Sequence, residues 1–263
     1  MLQRSAARLL LRMPRMRNAM IVSVLVGCGP SNQVPDAAVA VVPDARVKDP
    51  TSDAEVPRSC GELMATVRDF KADHPDFEKH GSIDDRGLVE ATLGSDGTPV
   101  YAHAGPRPTV AGPGSFAQWF HDTPGVNMSF TRPLALVEGP PGTFTFDDQT
   151  FFPIDGVGWP GQEVLGHNFL FTTEVHATFV YRGGEQFRFE GDDDVFVFVN
   201  GKLAIDLGGV HEKQAAAIDF DTSAAARGLV KDQVYTLDVF HAERHTMESH
   251  FRMVTTIDCL IIL

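Results

Sequence analysis

Cysteine is scarce in this chain, with three among 263 residues, so no cluster of thiols is on hand to hold a soft metal. Positive charge is scarcer still where it would matter. Five of the 22 basic residues (Arg4, Arg8, Arg12, Arg15 and Arg17) fall in the first 27 positions, which hold no acid and no lysine. The other 17 face 35 acids. An excess of that sign repels phosphate backbones, which argues against a nucleic-acid partner and suits divalent cations. No apolar run is long enough to span a bilayer; the one at 19–27 has roughly nine residues. There is no convincing long amphipathic helix and no internal repeat. Ser115, Ser223 and Cys60 lack the strand–turn–helix setting of an acyl-transfer nucleophile.

Glycine (24), phenylalanine (19) and proline (17) are plentiful instead. That mix fits a loop-rich all-β domain with an aromatic core. Alternation at period two marks strands at 66–70, 134–137, 143–146, 169–172, 174–181, 185–189, 195–199, 202–207, 234–240 and 250–257, and 115–120 reads as a short helix. The expected fold is an antiparallel β-sandwich with long loops and one or two short helices. Asn200-Gly201, set between two apolar runs, predicts a type I′ hairpin turn.

The N-terminus reads as an address. Arginines precede the apolar run, which ends in Leu25-Val26-Gly27-Cys28 and resembles a bacterial lipobox. On that reading, 1–27 is a signal peptide and Cys28 is lipidated, anchoring the chain in a bacterial envelope, with Gly29 at the position that sorts to the outer membrane. An ordinary secretion signal is the alternative. Residues 28–57, rich in Pro, Ala, Asp and Val without an aromatic, read as an extended tether. The folded domain is expected over 58–263. Cys60 and Cys259 bracket it, and an exported chain favours a disulfide between them over two free thiols.

Gly191-Asp192-Asp193-Asp194-Val195 is the most informative segment. Three consecutive carboxylates between apolar strands repel one another where burial is expected, and a cation would relieve them. Oxygen donors point to calcium rather than zinc, although the ligands do not alternate as in an EF-hand. A solvated acidic turn is the plainer alternative. His167, His176, His211, His241 and His245 make no zinc spacing; His241 and His245 are four apart, but in a strand-then-loop pattern.

The segment 191–211, GDDDVFVFVNGKLAIDLGGVH, closely resembles the core of the fibro-slime domain. The resemblance continues in 67–70, 74–77, 151–156, 167–169 and 242–249, and spans about 64 to 258. It implies a protective-antigen-type, jelly-roll-like β-sandwich, shared with flocculin lectins. In those lectins two adjacent aspartates joined by a cis peptide hold a calcium ion that also coordinates sugar hydroxyls. Aligned through Asn200-Gly201, that pair falls on Asp192 and Asp193. Asp194 replaces a small residue and adds either a further metal ligand or a clash. The remaining ligands are expected from Glu243, His245, Glu248 and Ser249, or from the loop 208–212 with His211. Trp119, Trp159 and Tyr181 are candidates to stack on a sugar ring or to pack in the core. Glu243 and Arg244 read as a charge pair fixing their loop.

The expected function is calcium-dependent binding of an extracellular glycan or matrix partner at the cell surface, with no bond broken. A structural matrix protein using calcium as a staple, or a polysaccharide hydrolase working through Glu243 or Asp194, are the alternatives.

Overall fold

The computed structural model describes residues 61–78, 81–140 and 142–263. The predicted signal peptide (1–27) and tether (28–57), together with Cys28 and Cys60, lie outside the described residues. Cys259 is disulfide-bonded. No helix among the described residues is long and apolar enough to cross a membrane.

In chain order the elements are β1 (Glu62–Phe70), β2 (Ile83–Asp84), α1 (Pro113–Phe116), β3 (Asn127–Ala135), β4 (Val137–Gly139), β5 (Thr143–Asp148), β6 (Phe171–Tyr181) and β7 (Gln186–Gly191). There follow β8 (Asp194–Val199), β9 (Lys202–Leu207), β10 (Gly209–Val210), β11 (Gln214–Asp219), α2 (Phe220–Arg227), β12 (Gln233–Glu243), β13 (Phe251–Thr255) and β14 (Ile261–Ile262). The fold is the expected all-β sandwich. One sheet runs β3-β1-β6-β12-β8-β9, with β14 also on β6, and the other runs β11-β7-β13-β5-β4. All pairings in both are antiparallel.

The apolar run at 195–199 is buried on both faces, as suits a central strand. Val195, Val197 and Val199 point between the sheets, joining Leu63, Val67, Phe179, Phe189, Val239 and Phe251 in the main core. Phe196 and Phe198 point the other way, into a second core with Phe70, Phe77, Phe116, Trp119 and Phe240. Much of that second core comes from the weakly structured stretch 71–126, which covers the outer face of the larger sheet. The sandwich therefore carries a third, irregular layer.

The Asn200-Gly201 turn has φ of 52° and 66°, both left-handed as type I′ requires. Pro133 sits in β3, an edge strand, where its missing N–H costs nothing. The segments 169–172 and 174–181 merge into the single strand β6, and 134–137 falls across the junction of β3 and β4. The alanine-rich pair β11 and α2 was absent from the strand and helix expectations. Helix α2 starts on Asp219, whose carboxylate accepts from the Thr222 N–H at 2.9 Å, and stops at Gly228 (φ 71°).

Candidate functional site

Register brings five strand ends to one pole of the sandwich. Asp69 of β1 lies opposite Phe171 of β6, and Phe171 opposite Glu243 of β12. Ala242 lies opposite Asp194 of β8, and Val195 opposite Leu207 of β9. Strand β7 of the smaller sheet ends at Gly191 and β8 of the larger begins at Asp194, so Asp192 and Asp193 are the whole connector between sheets. Their peptide bond is cis. Gly191 is required here, because a Cβ would stand 2.4 Å from the His250 carbonyl oxygen.

The acidic triplet divides in two. Asp194 is fully buried and turned away from solvent. Its Oδ1 accepts from Gly209 N–H at 2.7 Å and its Oδ2 from Arg244 Nε at 2.6 Å. Arg244 Nη1 also donates to the carbonyls of Thr109 (2.7 Å) and Asp76 (3.0 Å), and the guanidinium lies 4.6 Å from the Trp119 ring centroid. Asp194 thus serves an internal ion pair, which corrects the expectation that it is a metal ligand: both oxygens already have strong donors. The same contacts correct the expected Glu243–Arg244 pair.

Asp192 and Asp193 instead line a cleft of about 580 Å³, together with Ser82, Val210, His211, Glu212, Lys213, His245, Thr246, Met247 and Glu248. Asp193 accepts from the backbone N–H of His211 (3.0 Å) and of Arg244 (3.1 Å). Asp192 Oδ1 accepts from His250 N–H at 2.6 Å, and its Oδ2 lies 2.9 Å from His250 Nδ1. One ligand atom each from Asp192, Glu248 and His250 come within 4.8 Å of one another. Glu243, the last residue of β12, is buried close enough for both acids to act on it, and its Oε2 has no hydrogen-bond partner.

The electrostatics follow from this packing. Burial pushes Asp193 up to about 8, against the Arg244 charge, which lowers it, while Asp194 raises it further. Burial also pushes Glu243 well above the usual carboxylate range, and Asp193 and Asp192 add to the rise. Among the described residues, no lysine or arginine forms an ion pair with Asp192, Asp193 or Glu243. Oxygen donors in that state fit a hard divalent cation, which accepts six to eight oxygens. Hydrogen bonds to Glu243 from Ser249 and the His245 backbone act against its rise, and its Oε2 is left buried without a partner.

Of the other predicted residues, some reach this cleft and others do not. His211, His245 and Glu248 line it. Ser249 is buried beside it and bonds through its hydroxyl to the Phe151 carbonyl at 2.8 Å, so it braces the loop. His241 is inside the main core, edge-on to Phe251 and bonded through Nε2 to the Asp192 carbonyl at 2.6 Å, and burial lowers it to about 4. His167 pairs with Asp155, and His176 lies between Glu174 and Asp238, so neither joins His211 and His245 at the cleft. Trp119 is buried in the second core, bonded through Nε1 to Asp76, and Tyr181 is buried with its hydroxyl on Asp221. Neither offers a ring to a ligand. Trp159 has Lys71 Nζ 4.0 Å over its ring. His250 was not foreseen, because the strand pattern at 250–257 absorbed it.

Residues 160–258 match the profile of the PA14 domain. Among curated proteins, psiR of Dictyostelium discoideum is 38% identical over 200 residues, 70% of this chain and 20% of that protein. PsiD of the same organism is 37% identical over 214 residues, 74% of this chain and 41% of that protein. The chain therefore spans about one fifth to two fifths of the relatives it matches. These findings correct the fibro-slime resemblance on a bacterial lipoprotein: the matching family is PA14, and the relatives are eukaryotic. Among solved structures, the chain is similar to a PA14 sugar-binding domain from an RTX adhesin, at 9% identity, 78% of this chain, 96% of that one and a TM-score of 0.33.

Proposed function

We propose that this chain is a calcium-dependent binding module for an extracellular glycan, working by recognition and breaking no bond. One observation carries the reading. Two buried acids, Asp192 and Asp193, line the cleft without an ion-paired lysine or arginine among the described residues, and the buried Glu243 lies close enough for both to raise it, while their neighbour Asp194 has an arginine of its own. A calcium ion on Asp192 and Asp193, with Glu248 and Glu243 near, would neutralise them. Its unfilled coordination positions would face the cleft and take vicinal hydroxyls. A cleft of this volume lies within the range of small-ligand sites, and the PA14 match supports a binding rather than a catalytic module.

The test is calorimetric titration of calcium into chelator-treated protein, followed by a glycan array with and without calcium. Expected are a saturable calcium response and glycan signals that vanish with chelator. Absence of any calcium response in metal-free protein sinks the reading.

A second reading has its own support. Asp192 and Asp193 also fix the backbones of His211, Arg244 and His250, so calcium here would staple three loops whether or not a sugar binds. A calcium-raised melting temperature with a blank array would favour that structural role.

A further inference from the structure

The loop between β12 and β13 is held at both feet and at its middle. Arg244 N–H donates to Asp193, Arg244 carbonyl accepts from Glu78 N–H at 2.7 Å, and His250 N–H donates to Asp192. Thr246 donates to the Glu78 carboxylate through both its N–H (3.1 Å) and its hydroxyl (2.8 Å). Ser249 and Phe151 exchange two further bonds. On this pinned loop, the next residue after Thr246 is Met247, 76% exposed and lining the cleft. A single exposed apolar side chain is ordinary on a protein surface. This one is different in its surroundings: Val210, which is buried, is the only other aliphatic side chain in the lining. Met247 is therefore the one large apolar surface that a ligand in the cleft would meet.

The charge of the lining is equally one-sided. Asp192, Asp193, Glu212 and Glu248 supply four carboxylates, against Lys213 alone among lysines and arginines. Lys213 is already engaged, its Nζ 3.1 Å from Gln149 Oε1 and 3.7 Å from Glu190 Oε1. With one divalent ion in place, the ionised acids still outnumber the positive charges. A carboxylated or sulfated sugar entering here would meet Glu212 and Glu248 at the rim without a free cationic side chain to receive it.

We propose that Met247 is the apolar contact of the cleft, taking the C–H face of a pyranose, and that the acidic rim selects uncharged sugars over anionic ones. This rests on the calcium-dependent glycan reading above and sharpens it to a ligand class and a specificity-determining residue. The sulfur side chain is flexible and polarisable, which suits a curved, partly apolar ring face. Because the loop is already fixed, little ordering is lost when the ligand lands.

The experiment uses the full chain with calcium and matched pairs of methyl glycosides: glucoside with glucuronide, and galactoside with galacturonide. Binding is read by calorimetry, and the calcium-induced melting shift is recorded on every sample. Expected is binding of at least one neutral glycoside, with its uronide about tenfold or more weaker. Met247→Ala should weaken the neutral glycoside by about tenfold, as loss of roughly one buried apolar side chain implies. Met247→Leu should retain most of the binding, and Glu212→Gln should narrow the neutral-to-uronide gap. Equal or better binding of the uronide, an unchanged affinity in Met247→Ala, or equal losses in the alanine and leucine variants would each overturn the proposal. A calcium melting shift with no glycoside bound at all would instead remove the glycan reading on which it stands.

Discussion

Asp193 and Asp194 are neighbours in the chain, both buried and both pushed up by burial, yet only one of them has a salt-bridge partner. Asp194 enters the larger sheet at the start of β8 and meets a guanidinium that the fold carries for it, in a pair with no exposed side-chain surface. Asp193 belongs to the connector, faces the cleft and receives only backbone N–H groups. The difference teaches how a stretch of like charges is sorted by folding. Where a carboxylate holds the structure together, the chain supplies the counter-charge itself. Where none is supplied, the deficit sits at an opening that solutes reach.

The largest effect should come from breaking the supplied pair. Arg244→Met leaves Asp194 buried without its partner and should cost about 3–5 kcal/mol of folding stability in chemical denaturation. If the loss is no more than that of an exposed pair, about 1 kcal/mol or less, the two acids are not as different as described.

Next comes the pH dependence of the unsupplied acid. A carboxyl whose folded pKa is raised binds more protons folded than unfolded. Stability from Asp193 should therefore be fullest below the usual carboxylate value near 3.8 and fall as pH rises through about 8. Calcium should flatten that slope and release protons on binding, measurable as a buffer-dependent heat. Asp193→Asn should abolish the calcium response, and the variant should lose the slope while staying folded. A slope unchanged in Asp193→Asn would assign it to another group.

A smaller dependence of the same sign, set at higher pH, is expected at the outer face of the larger sheet. His176 lies 2.6 Å from Glu174 and 2.7 Å from Asp238, which raise it to about 9 even though burial lowers it. Its contribution should be complete below about 6.5 and disappear as pH rises through 9. Asp238→Asn should remove most of it, read by thermal melts between pH 6 and 10. The smallest effect belongs to the far pole. Asn200→Ala in the type I′ turn should cost about 1 kcal/mol through its left-handed φ, and should leave calcium binding alone.

Much of the sandwich was legible because its strands alternate or are apolar throughout. The 195–199 run announced a strand, though not its burial on both faces, and Asn200-Gly201 announced its turn. The second core was not legible, since Phe77, Leu88, Val110 and Trp119 come from irregular chain with no period to read. Strand β11 and helix α2 escaped because alanine gives little contrast between faces, although Asp219 and Gly228 carried cap signals that a reader looking for helices would have used. At the site, the acidic cluster was visible, but its partition was not. Asp194 finds Arg244 across 50 residues, and sequence spacing holds no trace of that pairing. His250 was hidden by its place beside a strand.

The central position of β8 has one more consequence. Its amides sit between two cores, in ladders with β12 and β9 on either side. Hydrogen exchange there should require opening of nearly the whole sandwich, whereas the exposed tip at Met247 and Glu248 should exchange far sooner. The cleft thus rests on a stiff keel, and the two-residue connector that carries Asp192 and Asp193 into β8 keeps its shape with it.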